Sequence, residues 1–160
     1  MRKFLITILT IFISCDSTDC CFNISADIYV SVLDIDNNDI LNPDNSSVEI
    51  NLNEIPIFYQ QRSGNKLFVN NTNYDSPKGY DIIVPSNSSN HYKIKVYLNT
   101  DYINDENVSF TYVEWKNGDI DELKAKFSIN DKSKTVEKIW VNGILKWKRD
   151  PNNDLLIIVK

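Results

Sequence analysis

The chain is poor in the residues that metal, redox and phosphate chemistry depend on. Of 160 residues, one is histidine, one is methionine and four are glycine. With His91 alone there is no histidine cluster to hold a metal. There is no Gly-x-Ser-x-Gly elbow and no glycine-rich phosphate loop. Cationic excess is missing as well: 17 Lys+Arg stand against 22 Asp+Glu, a formal charge of −5. Phosphate backbones need a basic face, so nucleic acid is excluded as a partner class. Electrostatic docking on anionic lipid is disfavoured for the same reason. No apolar run approaches the roughly 20 residues that a bilayer span requires. Neither a helical amphipathic period nor an internal repeat of fixed length is present.

What the chain does have begins at its first residues. Met1-Arg2-Lys3 is basic, Phe4 to Ile13 reads FLITILTIFI, and Ser14-Cys15-Asp16 follows at once. A cationic tip, a short apolar stretch and a small residue before a cut are the layout of a secretory signal. Phe12-Ile13-Ser14-Cys15 resembles the bacterial lipobox, with Phe12 where leucine is usual. The resemblance implies cleavage before Cys15 and a diacylglyceryl group on its thiol. Cys20 follows the charged Asp19 and Cys21 follows Cys20, so neither fits that role. Two or three acyl chains hold a protein firmly, since each buried methylene contributes about 0.8 kcal/mol. Cys20 and Cys21 are adjacent, and a disulfide between neighbours is strained. They read as tether residues, with a redox or intermolecular thiol pair as the other option.

Cleavage removes Arg2 and Lys3. That leaves 15 Lys+Arg against 22 Asp+Glu, a charge of about −7. The remaining chain suffices for one domain and is too short for two of ordinary size. Ile, Val, Tyr and Phe suit pleated surfaces, and Asn, Asp and Ser fill the gaps. Strands are expected at 26–34, 48–52, 55–61, 66–70, 80–84, 92–98, 108–116, 119–129, 138–141, 144–148 and 155–159, with residues 16–25 as tether. In 108–116 the apolar phase passes from Phe110 and Tyr112 to Val113 and Trp115, which predicts a bulge near Tyr112-Val113. Asn142-Gly143 is a strong two-residue hairpin signal. Regular pairing across it puts Trp140, Leu145 and Trp147 on one face, opposite Ile139, Val141 and Ile144. The whole predicts an all-β fold: a single antiparallel β-sandwich, immunoglobulin-like or similar, with an open β-barrel as alternative. The domains are then 1–14 signal peptide, 15–25 lipidated cysteine and tether, and 26–160 all-β domain.

The lipobox, the segment DIDNNDILNP at 34–43 and the hairpin KIWVNGILKW at 138–147 together resemble small uncharacterised lipoproteins of the Bacteroidetes. Asn37 stands where glycine is usual in that first segment, and asparagine tolerates the same turn. The resemblance implies a β-sandwich lipid-anchored to the outer membrane, periplasmic or surface-exposed. It names no activity and supplies no site residues.

Four groups of residues invite a functional reading. Asp34, Asp36, Asn38 and Asp39 space their oxygens like the front of a calcium loop. The match stops where glycine should stand and Asp39 does, and where glutamate should stand and Asn45 does. A turn whose side chains bond their own backbone explains the same residues. Trp140 with Trp147, joined by Trp115 or Tyr97, could stack on sugar rings, although tryptophans in β-proteins more often serve the core. Asp119/Asp121 and Asp101/Asp105 have the residue type of glycoside hydrolysis, yet acidic loop residues are ordinarily solvated charge. Asp16-Ser17-Thr18 fits a short O-glycosylation motif. No cofactor is expected. The chain reads as a lipid-anchored envelope protein with a non-catalytic binding or interaction domain for a glycan or protein partner. A structural component making only protein contacts is the alternative, and a glycan-active enzyme a minor one.

Overall fold

The computed structural model describes residues 22–45, 50–73, 75–86, 90–116, 118–151 and 153–160. The apolar run, Cys15, Cys20, Cys21 and the start of the expected 48–52 strand lie outside the described residues. Among the described residues the chain forms eleven strands and no helix, so no helix is long and apolar enough to cross a membrane. The strands are β1 (Asn23–Ser25), β2 (Asp27–Leu33), β3 (Ile57–Gln60), β4 (Lys66–Phe68), β5 (Tyr80–Ile83) and β6 (Lys93–Tyr97). They continue with β7 (Val108–Lys116), β8 (Asp119–Asn130), β9 (Ser133–Val141), β10 (Ile144–Lys148) and β11 (Leu155–Val159).

Two sheets result. The larger has the order β1-β9-β8-β7-β3-β4, and β10 also pairs with β9. β1 takes the first residues of the free edge of β9 and β10 the last. The smaller has the order β11-β2-β6-β5. Alternation decides which side of each strand is dry. Ile28, Val30 and Val32 of β2, Ile94 and Val96 of β6, and Leu156 and Ile158 of β11 are buried. They join Ile57, Val113, Trp115, Leu123, Phe127, Ile139 and Val141 of the larger sheet in one apolar cluster. One sheet curls like half a barrel. Register shifts at Glu114/Lys116, Lys126/Phe127 and Leu145/Trp147 interrupt the strands of the larger sheet.

Four expectations need correction. The sheets are mixed rather than purely antiparallel, because β1 runs parallel to β9 and β11 parallel to β2. Both parallel strands connect directly to the other sheet, β1 passing straight into β2 through buried Ala26 and β11 following β10. No tight turn joins a parallel pair, so no local signal announces it. The tether ends earlier than residue 25, since Asn23–Ser25 pair with Ser133, Lys134 and Thr135. The bulge in β7 lies at Glu114/Lys116, past the expected Tyr112-Val113. Ser109 and Thr111 share the buried phase with Val113 and Trp115, so two hydroxyl residues disguised a regular strand. Thr111 Oγ1 accepts a hydrogen bond from Asn99 N at 2.8 Å, which satisfies that hydroxyl in the interior. The other segment expected as a strand, 50–52 among the described residues, is irregular, although Ile50 and Leu52 pack against the core.

Gly79 shows where the packing is tight. Its φ is +78°, and a Cβ there would lie 3.0 Å from Val69 Cγ1 and 3.4 Å from Ile57 Cγ2. Gly64 has φ +85° with open space around it. Gly64→Ala carries only the left-handed backbone cost of about 1 kcal/mol, whereas Gly79→Ala adds overpacking and costs about 2–3 kcal/mol. Urea unfolding of the two variants should show the larger midpoint loss for Gly79→Ala. Equal losses would contradict the packing at Val69.

Tyr80 pins the irregular 52–55 segment to the core. Its hydroxyl donates to Leu52 O at 2.8 Å and accepts from Ile55 N at 3.2 Å. Burial raises its pKa above the ordinary tyrosine value of 10.0, against the pull of the Ile55 amide. A raised pKa in the folded state means full stabilisation below pH 10, lost as pH rises through the folded value. Wild type should therefore lose stability steeply above about pH 10. Tyr80→Phe should be less stable at neutral pH and flatter above pH 10, measured by thermal melts across that range.

Candidate ligand cleft and the buried Asp121 cluster

The sequence suggested that the three indoles form a platform, but the structure separates them. Trp147 pairs with Ile139 because Lys146 is bulged out of register. That single-residue slip turns Trp147 to the dry face with Ile139 and Val141. Trp147 is 7% exposed and Trp115 2% exposed. Trp147 Nε1 donates to Asn153 O at 3.1 Å. Trp140 stays on the outer face, in a row with Lys124 and Leu145, and the Lys124 ammonium lies 5.5 Å from its ring centroid. The expected grouping of Trp140, Leu145 and Trp147 on one face is thus corrected, and Trp115 and Trp147 serve the core.

The calcium-like segment forms an Asx turn. Asp34 Oδ1 accepts from Asp36 N and Asn38 N, each at 2.8 Å, and Oδ2 accepts from Asn38 Nδ2 at 2.8 Å. Those bonds, led by Asn38, hold the Asp34 carboxyl below its ordinary pKa. Asn37 sits at φ 63°, the left-handed conformation that glycine otherwise supplies. Asp39 faces elsewhere: Oδ1 accepts from Leu41 N at 3.0 Å and Oδ2 from Tyr92 N at 2.6 Å. His91 Nδ1 lies 3.9 Å from the same Oδ2. Asp34 and Asp39 therefore cap different backbone segments. Among the described residues no three His, Cys, Asp or Glu side chains converge as a metal set.

Asp119 and Asp121 do come together, around a cation. Lys160 Nζ lies 2.7 Å from Asp119 Oδ1 and 2.8 Å from Asp121 Oδ2. Asp121 is 3% exposed. It also accepts from Trp115 Nε1 at 2.7 Å and from Asn142 Nδ2 at 2.7 Å. Asn142 Oδ1 in turn accepts from Glu122 N at 2.9 Å. Both residues of the Asn142-Gly143 turn have positive φ, 49° and 82°, as a type I′ hairpin needs. The asparagine thus serves the turn with its backbone and the carboxylate with its side chain. A cavity of about 210 Å³ adjoins this cluster, lined in part by Asp34, Ile40, Ile50, Trp115 and Lys160.

A further concave surface lies elsewhere and was not foreseen. Two cavities, of about 310 and 450 Å³, lie on either side of Tyr59 and Asp101, which line both, and make up a two-part groove. The first is lined by Ile24, Asp27, Asp75, Ser76 and Tyr97 among others. The second is lined by Gln60, Gln61, Arg62, Leu67, Asn99, Tyr102 and Ile103 besides the shared pair. β3 presents Tyr59 and Gln60, and the segment after β6 presents Asn99 to Ile103.

Asn99 organises that second wall. It is fully buried; its Nδ2 donates to Gln60 O at 2.8 Å, and its Oδ1 accepts from Asp101 N at 3.1 Å and Tyr102 N at 3.3 Å. Tyr59 Oη donates to Tyr97 O at 2.9 Å, and Tyr97 Oη donates to Asp81 Oδ2 at 2.7 Å. Lys95 lies 3.5 Å from Asp27. Burial lowers the Lys95 pKa, but Asp27 and the neighbouring Tyr97 and Tyr29 outweigh it and leave it above the usual lysine value.

Of the carboxylates considered for hydrolysis, Asp101 lines the groove and Asp105 lines neither part of it. The sequence signal for the groove is the run Phe58-Tyr59-Gln60-Gln61-Arg62, aromatic and amide side chains at a strand end. No family model, curated protein or solved structure matches this chain.

The Asp121 cluster makes a sharp test of its own. Asn142→Gly keeps the turn geometry and loses two hydrogen bonds, costing about 1–3 kcal/mol. Asn142→Asp is nearly isosteric but sets a carboxylate against Asp121, so it should cost at least as much at neutral pH. Part of that cost should be recovered when the pH is lowered toward 4, because protonation removes the like-charge contact. Chemical denaturation at pH 7 and pH 4 measures both. An Asn142→Asp variant as stable as wild type at pH 7 would refute the contact.

Proposed function

We propose that this chain is a lipid-anchored cell-envelope protein with a non-catalytic β-sandwich binding domain. The lipobox-like Phe12-Ile13-Ser14-Cys15 supports the anchor at Cys15, on the outer membrane. One apolar cluster drawn from both sheets supports the sandwich reading over an open barrel. The observation that carries the binding role is the groove joined at Tyr59 and Asp101, a concave surface with aromatic, amide and charged groups along it. Tyrosine rings and amides suit a polar ligand with apolar edges, such as a glycan or an extended peptide. Catalysis has no comparable support: Asp119 and Asp121 are held by the Lys160 ammonium.

A second reading, as an accessory component making only protein contacts, is favoured by β4. This strand ends the larger sheet and exposes Leu67 and Phe68. Two measurements separate the parts of the proposal. Labelling cells with an alkyne fatty acid should mark wild type and not Cys15→Ala; label on the variant, or on neither, would end the anchor reading. The purified Cys15→Ala chain should bind oligosaccharides or peptides on arrays, and Tyr102→Ala with Arg62→Ala should weaken binding about tenfold, roughly 1.4 kcal/mol. Array binding that ignores both substitutions would remove the groove as the binding site and favour the β4 edge.

A further inference from the structure

We propose that the corner of the domain formed by Phe22, Ile24 and Ile129 rests directly on the bilayer that holds the anchor, an inference that depends on lipidation at Cys15. Ile24 pairs with Lys134, and Lys134 pairs with Ile129, so the three form one row across β1, β9 and β8. Two positions along the same side, the paired Phe127 and Val136 are buried. The row therefore continues the core-facing side of the sheet beyond the core. There Ile24 is 55% exposed, Ile129 40% and Phe22, one residue before β1, 51%. Exposed apolar side chains on the dry side of a sheet corner mark a contact surface rather than random scatter.

The length of chain before Phe22 says which surface covers them. Seven Cα steps separate Phe22 from Cys15, a reach of at most about 25 Å when fully extended. A compact domain of this size is roughly 35 Å across. A tether shorter than the domain width keeps the corner that it leaves from turned toward the membrane. The chain is acidic, so the contact is apolar and not electrostatic. Ile24 also lines the groove, so this orientation places the Ile24 end of the groove beside the lipid and its Arg62–Tyr102 end farther along the domain.

The test uses lipidated protein in vesicles of phosphatidylcholine with brominated acyl chains, which quench indole on contact. Phe22→Trp adds a reporter at the corner. Leu67→Trp adds one on β4, at the opposite edge of the larger sheet. The emission added by Phe22→Trp should fall at least twofold in brominated vesicles relative to unbrominated ones, and that added by Leu67→Trp should not change. Introducing Ile24→Asp and Ile129→Asp beside Phe22→Trp should abolish the quenching while the protein still floats with the vesicles. Flotation without quenching at Phe22→Trp, or with equal quenching at Leu67→Trp, overturns the resting corner and leaves the anchor standing. Failure of the wild-type protein to float overturns the anchor and this proposal together.

Discussion

The buried carboxylate of Asp121 ties three separate parts of the fold to one point. A charge in the interior is costly unless every lone pair has a partner. Asp121 meets that demand with the Trp115 indole from β7, the Asn142 amide from the β9–β10 turn and the Lys160 ammonium after β11. Each partner fixes an element. The indole anchors β7 at the Glu114/Lys116 shift, within which Trp115 lies, and the amide sets the hairpin tip against β8. The lysine ties the end of the smaller sheet to the larger one. Apolar contacts hold the two sheets together, but they tolerate sliding; a carboxylate with three directional donors does not.

The groove follows from the same economy of backbone satisfaction. Where β3 and β6 end, the chain leaves the sheets, and its amides and carbonyls need partners. Asn99 supplies several of them from one side chain, and in doing so it turns Asp101 and Tyr102 outward beside β3. Tyr59 donates to the Tyr97 carbonyl and Tyr97 donates to Asp81, so both phenols are anchored where they line the first cavity. A surface built to satisfy loop backbone is thus also the surface with the chemistry to receive a ligand.

The hairpin at 138–148 shows how far local reading goes. Asn142-Gly143 specified the turn, and Val141–Ile144 and Trp140–Leu145 pair as the two-residue loop requires. One residue later the register slips at Lys146, and Trp147 leaves the face of Trp140 and Leu145 for the core side with Ile139. Nothing in the local alternation distinguishes the two outcomes, since both faces of the hairpin carry apolar residues. The buried position is the one in which Asn153 O receives the Trp147 indole N–H. In β7 the reverse happened: Ser109 and Thr111 read as wet and lie inside.

By itself the sequence determined the all-β class, nearly every strand and the positions of the tight turns. Alternation with period two and asparagine- or glycine-containing turns are local properties, legible from a few neighbouring residues. It also carried the lipobox resemblance around Cys15. Tertiary structure alone decided the parallel pairings of β1 and β11, the bulge at Lys146, the role of Asp121 and the groove at Tyr59 and Asp101. All but the bulge join residues far apart in the chain. Asn99 contacts the Gln60 carbonyl 39 positions away, and Lys160 reaches Asp119 across 41. Such partners are chosen by which surfaces two sheets present when they close on one core, and no window of local sequence contains that information.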